Sequence, residues 1–330
     1  MIRSLNLSLT SKCSASCIFC PKDRGACNEE TFMSKDTLQI VLRQAIIYNQ
    51  RHNKKIDQVI IGENGDAFLH AEIIAFLKAV RYYLPDVTVV LFTNFLSSTT
   101  EQWNTILNDK LVDKVVCNID SIIPEQYKLA KNADFYKAWE QFTGFLMLRT
   151  ALHKTREVTI EVNVIDPVMY KNVAATVLNQ KMGMVAHSYT EGQDYTQLTI
   201  NCIKFLINDK DVVQGIIPCL WAERDKFLEH KLKNESKQCP QINRVKTEAF
   251  LNPDGKWYAC CLDSKNELVL GHIDSTSLSE LDDCVARRSL IGQLEAASFD
   301  NMRSPCNTVD CCQHYKLGGN KNEKYNNDCS

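Results

Sequence analysis

No stretch of this 330-residue chain approaches the roughly 18 consecutive apolar residues of a membrane-spanning helix. The opening "MIRSLNLSLTSKC" also lacks the apolar run of a secretory signal. A cytoplasmic protein with no membrane partner is therefore the expectation. Neither sign of charge is in excess: 38 basic residues against 40 acidic leave a net charge of −2, which removes any global reason to bind nucleic acid or anionic lipid. No internal repeat is present. Cysteine, in contrast, is abundant, at fifteen residues. Thiols stay reduced in cytosol, so clustered cysteines there hold metal or do chemistry more often than they form disulfides. With 45% hydrophobic and 24% charged residues, the chain has material for one large domain, or for a large and a small one.

Short β-branched runs alternate with helical patterns: "SLNLSL", "QVIIG" ending at Gly62, "VTVVLF" ending at Phe92, "DKVVCNI" ending at Ile119, "EVTIEVNVI" ending at Ile165, and weakly "MVAHSY" ending at Tyr189. Between the first two, Leu38, Val41, Leu42, Ala45 and Ile46 share a helical face behind a Ser34 cap. Ile73, Leu77, Val80 and Leu84 repeat the stripe, as do Trp103, Ile106 and Leu107 after Thr100. The stripe of Trp139, Phe142 and Phe145 reads as core packing. Alternation of this kind implies an α/β fold with parallel strands and right-handed crossovers. Six units rather than eight suggest a partial (β/α)6 TIM-like barrel. Chemistry in such barrels sits just after the strands, at their carboxyl ends.

From about residue 190 the chain turns irregular, polar and cysteine-rich, and "NPDGKW" reads as the turn of a hairpin. The expected organisation is a partial barrel over 1–200, a small irregular cysteine-rich domain over 201–317, and a disordered tail over 318–330.

The stretch "CSASCIFC" places Cys13, Cys17 and Cys20 directly after the first run. A structural zinc site wants four closed ligands, and no fourth Cys or His is local. Three thiolates can instead hold a 4Fe–4S cube by three irons and leave one iron open to a small molecule.

With these residues the sequence resembles the radical S-adenosylmethionine (SAM) superfamily, whose signature is CxxxCxxC in that loop. In that resemblance Phe19 takes the aromatic position against the adenine of SAM. "GDAFLH" is similar to the family's "GEPLLH", which points to Gly65 and Asp66 for the amino group of SAM, with Glu63 as an alternative three residues earlier. "FTNF" resembles "TTNG", with Thr93 and Asn94, and "NIDS" resembles "SIDG", with Asn118 and Asp120 near the ribose. His70 belongs to the same match in a structural role. The resemblance implies that SAM chelates the open iron and is cleaved by one electron, from a donor such as flavodoxin or ferredoxin. The 5′-deoxyadenosyl radical so made abstracts hydrogen from a substrate.

A second group, Cys239, Cys260, Cys306 and Cys311, flanks and follows the hairpin and resembles the family's SPASM or twitch extension, which carries an auxiliary iron–sulfur cluster. Cys312 stands as an alternative to Cys311, and a zinc-ribbon reading of the same thiols remains open. Cys261 and Cys312 sit next to ligands without being needed as ligands. Such a thiol is either a buried apolar residue or a hydrogen-atom donor of the kind an epimerase uses.

Two enzyme readings follow, both for an oxidoreductase or an epimerase in natural-product maturation. One modifies a peptide residue, for example by epimerisation. The other epimerises or dehydrogenates a sugar or aminocyclitol. Only twelve residues precede Cys13, which leaves no leader-peptide-binding module in this sequence and weakens the peptide branch. A non-catalytic iron–sulfur or zinc protein is the reading from another class. Tyr127, Tyr189 and Glu191 are candidates for the barrel mouth, as are His187 and His314, and none has an assignable role.

Overall fold

The computed structural model describes residues 1–17, 20, 30–52, 56–165, 203–204, 207, 210–216, 239, 241–263, 267–296, 298, 302 and 306. The weak run at 184–189, the expected tail, and Phe19, Cys311, Cys312, His187, Tyr189, Glu191 and His314 lie outside them.

Six parallel strands form the frame: β1 (Ser4–Leu7), β2 (Gln58–Ile61), β3 (Thr88–Thr93), β4 (Lys114–Asp120), β5 (Thr159–Ile165) and β6 (Val212–Ile216). They stand in the order β6-β5-β4-β3-β2-β1, each hydrogen-bonded to the next. Beyond β1 the sheet continues into β7 (Glu248–Leu251), parallel to β1, then into antiparallel β8 (Lys256–Tyr258) and β9 (Val269–His272). Among the described residues the nine-stranded sheet does not close, in keeping with the partial α/β barrel read from the sequence. The first five strands fall on the first five runs. The next strand among the described residues is Val212–Ile216, a short segment with a glycine that carries too little apolar alternation to stand out.

The helices between strands are α1 (Lys35–Arg51), α2 (Ile73–Tyr83), α3 (Thr100–Asn108), α4 (Pro124–Lys131) and α5 (Phe135–Ala151). Their starts are encoded locally. Ser34 accepts from the Thr37 amide, Thr99 and Gln102 form a reciprocal capping box, and Asp134 accepts from the Tyr136 and Lys137 amides. Helices α1, α2, α3 and α5 turn their apolar stripes onto one face of the sheet, where Leu5, Leu7, Val59, Ile61, Val89, Leu91, Val115, Cys117, Ile160 and Val162 are fully or nearly fully buried. Burial of each such side chain contributes about 1.5–3 kcal/mol. The Trp139, Phe142 and Phe145 stripe lies in this core, as expected.

The alternate strand residues point to the other face. Ile60, Val90 and Val116 make a small apolar cluster there, flanked by the buried polar residues Asn6, Glu161 and Asn163. Asn163 donates to the Asn118 side chain at 2.9 Å across β5 and β4. This second face is therefore polar near the carboxyl ends of the strands.

After β7 and β8, joined by the "NPDGKW" turn with Gly255 at φ +83°, come α7 (Leu278–Asp282) and α8 (Val285–Glu295). The short α6 (Ile242–Thr247) precedes β7. A second apolar cluster forms here from Val245, Phe250, Tyr258, Leu262, Leu268, Leu290 and Leu294 together with four cysteines described below.

Candidate active site and metal centres

The long loop after β1 is clasped at both ends. Thr10 and Phe32 form an antiparallel bridge, the Ser11 amide donates to the Thr31 carbonyl at 3.0 Å, and the Met33 amide donates to the Leu9 carbonyl at 2.8 Å. Cys13, Cys17 and Cys20 lie on this loop, all half-buried, and the Cys20 amide donates to the Cys17 carbonyl at 2.9 Å. Cys13 and Cys17 rest on a wall of Ala15, Leu96, Tyr127, Phe135 and Ala138. Burial pushes the Cys17 thiol up to about 12; Lys131 pulls it down, while Asp120, Cys20 and Cys13 push it further up.

Three other strand ends meet the cysteine loop. After β2, Gly65 has φ +82°, and a Cβ there would run into the Thr10 carbonyl oxygen, so only glycine permits the two loops to touch. The Asp66 amide then donates to the Lys12 carbonyl at 2.8 Å. Its buried carboxylate accepts from the Ser14 hydroxyl at 2.6 Å and from the Phe68 amide at 3.2 Å. After β3, Asn94 accepts from the Leu96 amide at 2.9 Å and donates from Nδ2 to the Cys13 sulfur at 3.7 Å. Thr93 accepts from the Phe95 amide at 2.9 Å. After β4, Asp120 has φ +63° and pairs with Lys131 at 2.8 Å, both side chains being about 95% buried or more. Burial raises the Asp120 carboxyl, against the pull of Lys131; the Lys131 ammonium is held above its ordinary value because Asp120 and Cys17 outweigh its own desolvation.

Glu63, the alternative to Asp66, is engaged differently. Both its oxygens accept from Arg244 at 2.6 Å, and Asn6 donates to it as well. Burial acts to raise its carboxyl, but Arg244 holds it below the usual carboxylate range. His70 is buried: its Nδ1 accepts from the Glu72 amide, so Nε2 carries the proton donated to the Met33 carbonyl at 2.9 Å. That is a structural histidine.

The second group is brought together in the cluster beyond β8. Cys239, Cys260, Cys261 and Cys306 are each at most 6% exposed and pack in one contiguous core. The Leu262 amide donates to the Cys260 sulfur at 3.4 Å, and Arg244 donates to the Cys261 sulfur at 3.3 Å. The Cys261 thiol lies well above its ordinary value through a hydrogen bond with Cys260 and burial, against the pull of Arg244. Cys117 is a buried core thiol in β4, and Cys284 caps α8 by accepting from the Arg287 amide.

The donor set fits a cluster at the first site. Tyr127 is fully buried against Cys17, and its hydroxyl has no hydrogen-bond partner among the described residues, so a sulfide or thiolate acceptor beside it would satisfy that donor. Among the described residues no group of three His, Cys, Asp or Glu side chains converges as a single ion requires. A cube makes no such demand, because each thiolate meets a different iron.

Residues 239–313 match the SPASM model, described as an iron–sulfur cluster-binding domain. Among solved structures, the chain is similar to BtrN in complex with AdoMet and 2-DOIA, at 12% identity and TM-score 0.55 over 98% of this chain and 97% of that one. It is also similar to Streptococcus suis SuiB bound to S-adenosylmethionine, at 14% identity and TM-score 0.55 over 93% and 70% of the two chains. A third similarity is to native anSMEcpe with bound AdoMet and Cp18Cys peptide, at 14% identity and TM-score 0.56 over 88% and 83%. The chain thus shares the fold of these AdoMet-bound structures and carries a SPASM domain at residues 239–313. No curated protein sequence matches the chain.

Several residues of this site carried no signal in the sequence. Ser14, Asn6 and Arg244 are single polar residues whose partners Asp66 and Glu63 are distant in the chain, with Arg244 and Glu63 separated by 181 positions. Only the folded sheet, which sets β7 against β1 and β1 against β2, makes them neighbours.

Proposed function

We propose that the chain is a radical SAM enzyme that abstracts hydrogen from a small molecule or a peptide in natural-product maturation. The observation that carries this reading is the contact of the cysteine loop with the ends of β2 and β3, through the Asp66 amide on Lys12, Ser14 on Asp66, and Asn94 on Cys13. Cys13, Cys17 and Cys20 would hold a 4Fe–4S cluster with one iron left to SAM. Gly65, Asp66, Thr93, Asn94, Asn118 and Asp120 would line the SAM site, and Phe19 would close it over the adenine. Because Glu63 is committed to Arg244, Asp66 is the better candidate for the amino group. Cys239, Cys260 and Cys306, with Cys311 or Cys312, would ligate an auxiliary cluster.

When bound, the cluster and SAM supply a 5′-deoxyadenosyl radical. The protein's share is to orient substrate and keep out water. The apolar wall of Leu96, Tyr127 and Phe135 beside the cysteines, and the strand-face cluster of Ile60, Val90 and Val116, suit that task. An electron donor of the flavodoxin or ferredoxin type is required.

For the substrate, the leading reading is a peptide residue, altered by epimerisation with Cys261 returning the hydrogen atom. Similar structures in complex with the precursor peptide SuiA and the Cp18Cys peptide favour that class. The second reading is a sugar or aminocyclitol, supported by the near end-to-end coverage shared with BtrN in complex with 2-DOIA.

The test is anaerobic incubation of the reconstituted protein with SAM and dithionite. Formation of 5′-deoxyadenosine supports the enzyme, and its absence from protein that carries iron and sulfide refutes it. With a candidate substrate in deuterated water, one deuterium incorporated at an inverted carbon supports epimerisation through Cys261, and an oxidised product without deuterium supports dehydrogenation.

A further inference from the structure

Groups that neither cysteine set uses meet at Arg244 on α6. Its Nε and one terminal nitrogen donate to Glu248 at 2.8 and 2.7 Å, and its two terminal nitrogens donate to Glu63 at 2.6 Å each. The nitrogen between Glu63 and the SPASM core also donates to the Cys261 sulfur at 3.3 Å. The guanidinium lies over the Phe250 ring, 5.4 Å from its centroid. One cation and two carboxylates, all mostly buried, are thereby fixed beside Cys261, the residue that directly follows Cys260. The planar fork of arginine fits two carboxylates and a sulfur at once, which a lysine ammonium does not.

We propose that Arg244 is a positioning residue of the auxiliary centre: clamped by Glu63 and Glu248, its charge sets the reduction potential of a cluster ligated at Cys260. The proposal rests on the reading of Cys239, Cys260 and Cys306 as cluster ligands. Reduction adds one electron to the cluster, so a fixed positive charge nearby favours the reduced form and a negative charge opposes it, more strongly in a buried setting than in water. Glu63 stands two residues before Gly65, so the same contact ties the loop after β2 to the auxiliary centre.

The experiment is a potentiometric titration followed by electron paramagnetic resonance, on full-length reconstituted protein without SAM or substrate. Wild type is compared with Arg244→Lys, Arg244→Met and Glu63→Gln, each electron coming from the titrant. The auxiliary midpoint potential is expected to fall in Arg244→Met, to rise in Glu63→Gln, and in Arg244→Lys to stay nearer wild type than in Arg244→Met. Potentials that do not move, or that move in the same direction in Arg244→Met and Glu63→Gln at wild-type iron and sulfide content, overturn the proposal. Where Arg244→Met loses its cluster, the near-isosteric Glu63→Gln decides alone: a rise supports the proposal, and no change or a fall overturns it. Wild-type protein with only about four irons and one titrating cluster would instead defeat the ligand reading, and the proposal with it.

Discussion

Phe95 stands where the radical SAM pattern "TTNG" has glycine, and it takes φ +63°, a conformation that costs a residue with a Cβ about 1–2 kcal/mol. Aromatic packing offsets the strain. The ring is fully buried, stacks on Trp103 at 5.4 Å, and meets Phe142 and Phe145 at 5.3 and 5.6 Å. Phe95→Ala is expected to lose about 3–5 kcal/mol of stability, because it forfeits the packing and keeps the strain. Phe95→Gly forfeits the same packing and relieves the strain, so it should be more stable than the alanine variant by about 1 kcal/mol. Urea unfolding of the two variants measures the difference, and equal stabilities would contradict the strain. Glu63 offers a pH-dependent test. Its carboxyl is lower in the folded chain than in the unfolded one, so its contribution is fully present above the unfolded value near 4.3 and is lost as pH falls through the folded value. The stability gap between wild type and Glu63→Gln should therefore be full at neutral pH and shrink below roughly pH 4. Unfolding curves over that pH series would contradict this if the gap stayed constant.

Among the elements, the edge of the barrel is secured by a buried ion pair. Arg149 of α5 forks onto Asp211, donates to the Val158 carbonyl at 2.9 Å, and so joins α5, β5 and the start of β6. Asp211 also accepts from the Ile160 amide at 2.8 Å. Removing one partner leaves a buried charge unpaired, so Arg149→Met is expected to lose about 3–5 kcal/mol by urea unfolding. The double variant with Asp211→Leu should recover much of that loss. The pair also explains what could be read from sequence at this scale. β1 to β5 and the α1 to α3 stripes were legible because apolar periodicity is local, as were the Ser34 cap and the "NPDGKW" turn. β6 was not, because five residues with a glycine hold little periodicity and its anchor Asp211 finds Arg149 only after folding. The same limit hid Arg244, whereas the spacing of Cys13, Cys17 and Cys20 was legible because all three fall within eight consecutive residues.

At the scale of the molecule, β7 joins the parallel sheet directly at β1, so the hairpin that leads through β8 to Cys260 and Cys261 is built onto the same sheet as the strand that leads to the first cysteine loop. That arrangement gives the Glu63 to Arg244 contact its meaning, since it crosses from the β2 loop to the SPASM domain. Two cubes on one chain require about eight irons with matching sulfide. The central claim is that Cys13, Cys17 and Cys20 leave one iron without a protein ligand. Its most direct measurement is electron paramagnetic resonance of a Cys239→Ala, Cys260→Ala, Cys306→Ala variant, reduced with and without SAM. Direct ligation of SAM to the remaining cluster predicts a shifted spectrum and loss of its signal on further Cys17→Ala substitution. A spectrum indifferent to SAM, or a protein that binds zinc without sulfide at this loop, would contradict it.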